Sequence, residues 1–187
     1  YNRILHSGWD EAKEIYGVKL TQKNNAYRNT FDDIYDVDNR IDHVLATSAL
    51  KYAQSNNISM AVDGQVIGMG CGQQNRVGCV KLAGEKAQNW ILRQSQSALD
   101  FWNSDLGDIK RQDRVNMLYD YLETNKNKIK TSTYNIVLAS DGFFPFTDNI
   151  TLADRYGVRH IIHPGGSIAD DSIQKKCDEY GMSMYIT

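Results

Sequence analysis

From Thr133 onward the chain keeps a rhythm that few folds can satisfy. "YNIVLAS" reads as a buried strand, "NITLADRY" as a short helix, "VRHII" as a strand, "ADDSIQKKCDEY" as a helix and "MSMYIT" as a final strand. Gly157 and Gly181 stand where a helix end takes a left-handed residue. Strands alternating with helices over loops this short require right-handed crossovers, so the segment predicts a largely parallel sheet in an α/β fold. At 187 residues, 41% hydrophobic, the chain has enough apolar mass for one substantial core.

The upstream half is less regular. Residues 1–38 interleave single aromatics with charged and Asn-rich turns. They read as a short helix near Trp9–Tyr16 and an irregular connection, a lead-in to a body spanning 39–187. Ile41, Val44, Leu45, Ser48, Ala49 and Tyr52 then fall on one helical stripe, with Asp38 or Asn39 placed to cap it. "ISMAV-DG-QVIGMG" reads as a hairpin, because Asp63-Gly64 tolerates positive φ at both turn positions. The helix that follows would bury Val80, Ala83, Ala87, Trp90 and Ile91. Residues 95–107 read as a loop containing Phe101 and Trp102. "DIKRQDRVNMLYDYLETN" reads as an amphipathic helix covering the sheet through Ile109, Val115, Leu118 and Leu122.

Composition removes several function classes. A net charge of −2 and a pI near 6.1 give no footprint for a polyanionic partner, so no nucleic acid is expected. No apolar run approaches the ~20 residues of a membrane helix, and no membrane partner is expected. There is no signal-peptide pattern, and a start at Tyr1 without methionine points to a segment of a longer protein. Three cysteines without a close-set framework favour reduced thiols in a cytoplasmic protein. His160 and His163 ("HIIH") could pair on a metal, but packed or solvated histidines are the favoured reading. The absence of HxE followed by PCxxC argues against zinc deaminase chemistry, so no zinc is expected.

In an open α/β sheet the ligand crevice lies at the carboxyl ends of the strands. Three loops qualify if the Gly-rich strand runs with the others. "GCGQQNR" (70–76) offers close backbone approach at Gly70 and Gly72, with Arg76 to pair with an anion. "SDGFFPFTDN" (140–149) offers aromatic faces and the Asp148 carboxylate. "HPGGS" (163–167) offers bare N–H groups at a helix start, suited to a carboxylate or phosphate. No Ser-His-Asp, Cys-His or paired-carboxylate set stands out. The residues alone therefore describe a ligand-binding or transferase domain with no visible catalytic base.

Two long blocks carry a resemblance. "KYAQSNNISMAVDGQVIGMGCGQQNRVGCVKLAGEKAQNW" (51–90) resembles the transformylase part of the AICAR transformylase/IMP cyclohydrolase family. "LASDGFFPFTDNITLADRYGVRHIIHPGGSIADDSIQKKCDEYGM" (138–182) resembles a second block of the same family. The resemblance implies a cytidine-deaminase-like three-layer fold, a mixed, mostly parallel sheet with helices on both faces, of which this chain would be the second copy. It implies formyl transfer from 10-formyltetrahydrofolate to the 5-amino group of AICAR ribonucleotide, in a homodimer. Asn56 matches an active-site asparagine expected near the formyl oxygen. Arg76 matches an arginine of the folate and AICAR cleft. Phe143, Phe144, Pro145 and Phe146 would form a folate platform, with Asp148 and Asn149 at its polar edge and Gly165, Gly166 and Ser167 in the third loop. Asp148 could equally cap a helix. Ser55 and Asp141 match positions around a monovalent-cation site, potassium by the resemblance, completed by backbone carbonyls.

The chain also departs from the pattern. Where the family usually reads "TQSNS" this chain has "AQSNN", so Ala53 and Asn57 differ. The Lys-His pair that moves protons in the family belongs to the preceding half, and the closing Arg-Leu-Phe-His-His is absent. The expectation is therefore an enzyme half that needs the preceding transformylase half and is inactive alone. The alternative is a non-catalytic folate- or nucleotide-binding module.

Overall fold

A computed structural model describes residues 10–23, 39–126 and 134–187. The chain divides into two compact units, Tyr1–Thr30 and Phe31–Thr187. In the first, β1 (Asp10–Ile15) and β2 (Val18–Lys23) form an antiparallel hairpin. The expected helix at Trp9–Tyr16 is therefore a strand over its described part; Trp9 lies outside the described residues. Tyr16 (φ 50°) and Gly17 (φ 77°) make a two-residue turn with positive φ at both positions, which matches strand twist and stops a helix. Every residue of β2 is exposed, Val18 and Leu20 among them.

The second unit holds a five-stranded sheet in the order β4-β3-β5-β6-β7: β3 (Asn57–Val62), β4 (Gln65–Cys71), β5 (Ile136–Ser140), β6 (Val158–His163) and β7 (Ser183–Ile186). β3 pairs antiparallel with both β4 and β5, while β5–β6 and β6–β7 are parallel. The sheet is mixed, and β3 alone is reversed, so β4 runs with β5, β6 and β7. The condition for the three loops to share one end of the sheet is met. Asp63 (φ 50°) and Gly64 (φ 75°) form the expected hairpin turn.

Six helices are described: α1 (Arg40–Leu50), α2 (Arg76–Arg93), α3 (Gln96–Asn103), α4 (Arg111–Asn125), α5 (Asp148–Arg155) and α6 (Asp170–Glu179). The main core lies on one sheet face, where Val80, Ala83, Ala87, Ile150 and Ile173 of α2, α5 and α6 meet Ile58, Met60, Leu138 and Ile161. On the other face Ala46 and Leu50 of α1 meet Ala61, Val137, Ala139 and Ile162. This is a three-layer arrangement. The fit of α2 to β4 depends on glycine: a Cβ at Gly70 would lie 2.1 Å from the Cys79 carbonyl oxygen, and one at Gly68 equally close to that of Ala83. Gly70 thus lets a helix approach, rather than a ligand.

Three expectations about helices are corrected. The buried face of α1 is Asp42, His43, Ala46 and Leu50, whereas Ile41 and Tyr52 are 65% and 90% exposed. The reason is polar. The Asp42 carboxylate accepts from Asp63 N (3.0 Å) and Gly64 N (2.7 Å), pinning the turn, and so draws the helix into a phase that apolar spacing does not show. Asn39 stands at the N-cap position without a side-chain capping bond, and Asp38 lies outside the described residues. Residues 96–103 form α3 rather than a loop, with Ser95 accepting from Ala98 N as N-cap. The buried Leu122 of α4 joins Leu92 and Ala98, so this helix packs on the end of α2 and on α3 instead of covering the sheet.

Candidate functional site

Because β3 is reversed, its first residues lie at the same sheet edge as the last residues of β4 and β5. Asn57 pairs with Cys71 on one side, and Ile58 pairs with Ser140 on the other. Ser55, Asn56, Arg76 and Asp141 converge there. Asn75 opens α2 by accepting from Gly78 N at 2.7 Å, which starts the helix so that Arg76 points across the strand ends. Its Nη1 donates to Ser140 Oγ (2.8 Å) and Asp141 Oδ1 (2.5 Å), and its Nη2 donates to Asn56 Oδ1 (3.0 Å). Asn56 in turn donates from Nδ2 to the Gln73 carbonyl (3.1 Å), and its own carbonyl accepts from the Cys79 thiol (3.1 Å). A Cβ at Gly142 would come within 2.6 Å of Arg76 Nη2, so glycine there leaves room for the guanidinium.

The pair Arg76–Asp141 is mostly buried, with 11% and 18% of the two side chains exposed. Burial alone would raise the Asp141 pKa. Hydrogen bonds from Ser55, Arg76 and the Asn57 N–H outweigh it and hold the carboxyl below its ordinary 3.8. Burial pushes the Cys79 thiol up, which keeps it a protonated donor to Asn56. Asp141 thus fixes Arg76, and Arg76 fixes and polarises the Asn56 amide.

The Phe-rich loop splits by burial. Phe143 and Phe146 are 46% and 68% exposed, and Pro145 is half-buried. Phe144 is a correction. It is 1% exposed and packs edge-on to His163 at 5.4 Å, so it anchors the loop in the core and has no face for a ligand. Asn149 is also buried; its Nδ2 donates to Phe146 O (3.1 Å) and Asp148 Oδ1 (2.9 Å), bracing the loop from inside rather than edging a ligand. Asp148 is exposed in the first turn of α5, with Thr147 at the cap position, and its Oδ1 accepts from Asn149 N at 2.8 Å.

The loop at 163–167 does not present bare N–H groups. Gly166 N (2.8 Å) and Ser167 N (3.1 Å) both donate to Asp170 Oδ2, and Gly165 N donates to His163 Nδ1 (3.1 Å). A carboxylate of the chain's own occupies the anion position. His160 and His163, three apart on β6, point to opposite faces of the sheet and cannot share a metal. Among the described residues, no group of three or more His, Cys, Asp and Glu side chains converges. No described helix is long and apolar enough to cross a membrane.

The profile of the family described as AICARFT/IMPCHase bienzyme matches residues 6–86. The bifunctional purine biosynthesis protein PurH of Prochlorococcus marinus (strain MIT 9515) is 34% identical over 183 residues, 94% of this chain and 27% of that relative. The PurH of Prochlorococcus marinus (strain MIT 9211) is 34% identical over 155 residues, 81% of this chain and 21% of the relative. The PurH of Synechococcus sp. (strain CC9605) is 34% identical over 152 residues, 79% and 20%. This chain belongs to the AICARFT/IMPCHase bienzyme family. It spans about a quarter of the length of the curated relatives it matches. Within this family member the "QSN" and "QQ-x-R" motifs, 20 residues apart in sequence, meet in one hydrogen bond between Asn56 and Arg76. Sequence reasoning missed Ser140, Gly142 and Asp170. None of the three sits in a pattern that marks it, since each acts through a neighbour distant in sequence or through a loop fold.

Proposed function

We propose that this chain supplies one wall of a formyltransferase site. The reaction is transfer of the formyl group of 10-formyltetrahydrofolate to the 5-amino group of AICAR ribonucleotide, in cytoplasmic purine biosynthesis. The observation that carries the reading is the Asp141–Arg76–Asn56 chain of hydrogen bonds at the common end of β3, β4 and β5, in a member of this family. The amine attacks the formyl carbon, a tetrahedral oxyanion forms, and the bond to folate N10 breaks. A proton leaves the amine and one is delivered to N10. Asn56 uses one donated bond on Gln73, and its second Nδ2 hydrogen serves the oxyanion. The exposed Phe143 and Phe146 give the flat folate its stacking faces, and Asp148 accepts from its amino-heterocycle.

The three histidines among the described residues, His43, His160 and His163, are all buried. His163 is fully buried, and its Nδ1 already accepts from Gly165 N. Proton transfer is therefore assigned to the Lys-His pair of the preceding transformylase half, and the complete site to a homodimer. The test is Asn56→Ala in the full-length protein. A donor that acts on the transition state should cost about 10²–10³ in kcat with a small effect on KM. A raised KM with unchanged kcat would make Asn56 a simple binding group.

A further inference from the structure

The resemblance implies a monovalent cation beside Ser55 and Asp141. Such an ion is held by converging oxygens that replace its water. The donor set here does not fit one, because Leu50 O, Ala53 O and Asp141 Oδ1 already accept hydrogen bonds from the chain's own N–H groups. Asn57 is 1% exposed. Its Nδ2 donates one hydrogen to Leu50 O (3.1 Å) and the other to Ala53 O (3.2 Å). Both carbonyls belong to the end of α1 and the turn after it, where a helix leaves carbonyls without intrahelical partners. The backbone of the same residue clasps Asp141: Asn57 N donates to Asp141 Oδ1 (3.0 Å), and Asp141 N donates to Asn57 O (3.3 Å). That carboxylate oxygen also takes Arg76 Nη1, so a guanidinium supplies the positive charge a cation would bring. A second positive charge at this spot would be repelled.

The sequence departs from its family at the same two positions. Ala53 lacks the hydroxyl of the usual threonine, and Asn57 places an amide where serine is usual. We propose that Asn57 is a built-in replacement for the cation: its side-chain amide ties the end of α1 to β3 and Asp141, and so positions Asn56 without potassium. Asn57 is a positioning residue, and its readouts need no turnover, so they stand or fall apart from the proposed reaction.

The test compares the full-length protein in potassium chloride and tetramethylammonium chloride at equal ionic strength. The expected result is the same Tm in both. A Tm higher in potassium by several degrees overturns the proposal. The variant Asn57→Ser removes both donated bonds. It should lower Tm by about 3–6 °C in tetramethylammonium chloride, and potassium should restore part of that loss. An unchanged Tm for this variant in both salts would also overturn it. Should the variant fail to fold, native crystals soaked in thallium chloride decide the matter. No anomalous peak is expected at this spot. A peak bonded to Leu50 O, Ala53 O or Asn57 Oδ1, the last a buried oxygen with no hydrogen-bond partner among the described residues, would show a bound cation instead.

Discussion

At the scale of single residues, charge is the most fragile part of this structure. Removing Arg76 leaves Asp141 mostly buried without its cation. Arg76→Met should destabilise the protein by about 2–4 kcal/mol, and the Asp141 pKa should rise, because burial is then opposed only by the hydrogen bonds from Ser55 and the Asn57 N–H. Chemical denaturation measures the first effect and a carboxyl NMR titration the second. His163 governs a different pH window. Burial, with Arg76 reinforcing and Asp170 opposing, holds its pKa below 6.5. As pH falls through that value the unfolded imidazole takes up a proton before the folded one does, so stability falls with pH. His163→Asn keeps an acceptor for Gly165 N and should flatten the drop in urea midpoint between about pH 7.5 and 5.5. Asp148 was legible only as an ambiguity between cap and ligand contact. The structure gives the cap position to Thr147 and leaves the Asp148 carboxylate exposed. Asp148→Asn should weaken folate binding by about 1.5–3 kcal/mol in calorimetry while leaving Tm unchanged. A fall in Tm with intact affinity would return the residue to a purely structural role.

At the scale of elements, what was readable followed from backbone chemistry, and what was missed followed from polar side chains. The alternation of β5, α5, β6, α6 and β7 was plain because two C-terminal glycines and short loops leave one topology. Gly157 and Gly181 do adopt positive φ, 81° and 65°. The phase of α1 was not readable, since its burial is set by Asp42 gripping a turn 21 residues away. The hairpin at 10–23 was obscured because its charged, alternating residues fit a helix as well as a ribbon. Phe144 and Asn149 look like ligand groups on spacing alone, and only the turn of the loop sends them inward. Gly70 in "GMGCGQQ" serves the packing of α2 on β4, a role its place in a Gly-rich loop does not reveal. Gly70→Ala would force α2 off β4, since the new methyl meets helix backbone rather than a side chain that can move. It should destabilise by about 1–3 kcal/mol, read as a lower denaturation midpoint with the fold otherwise kept. Ala at Gly64, where no atom lies within 4 Å of a Cβ, meets only the backbone strain of φ 75° and should cost less.

For the molecule as a whole, Ile41, Val44 and Tyr52 turn apolar surface outward at α1 and the turn after it, while Ala46 and Leu50 face the sheet. Residues 1–187 alone should show no formyl transfer, and adding the preceding half should restore it. Tyr52→Glu should leave Tm within about 1 °C, because the side chain is 90% exposed, yet lower the restored activity if α1 faces that half. Tetrahydrofolate release followed by absorbance reads both outcomes, and turnover by the isolated chain would defeat the first. β3 and β4 are neighbours in sequence, as are β5, β6 and β7, and the single β3–β5 seam joins the two groups. That seam joins Ile58 to Ser140, roughly 80 residues apart, and synthesis adds about 5–20 residues per second. During translation, then, β3 waits about 4–16 s with one edge unpaired before its partner exists. A ribosome-stalled chain ending before Ile136 should be open to protease at β3, and one long enough to free Ser140 from the exit tunnel should not. The reversed strand that gathers the site residues is also the strand that waits longest for a partner, so the same pairing that builds the site leaves a hydrogen-bonding edge of the newborn chain open during synthesis.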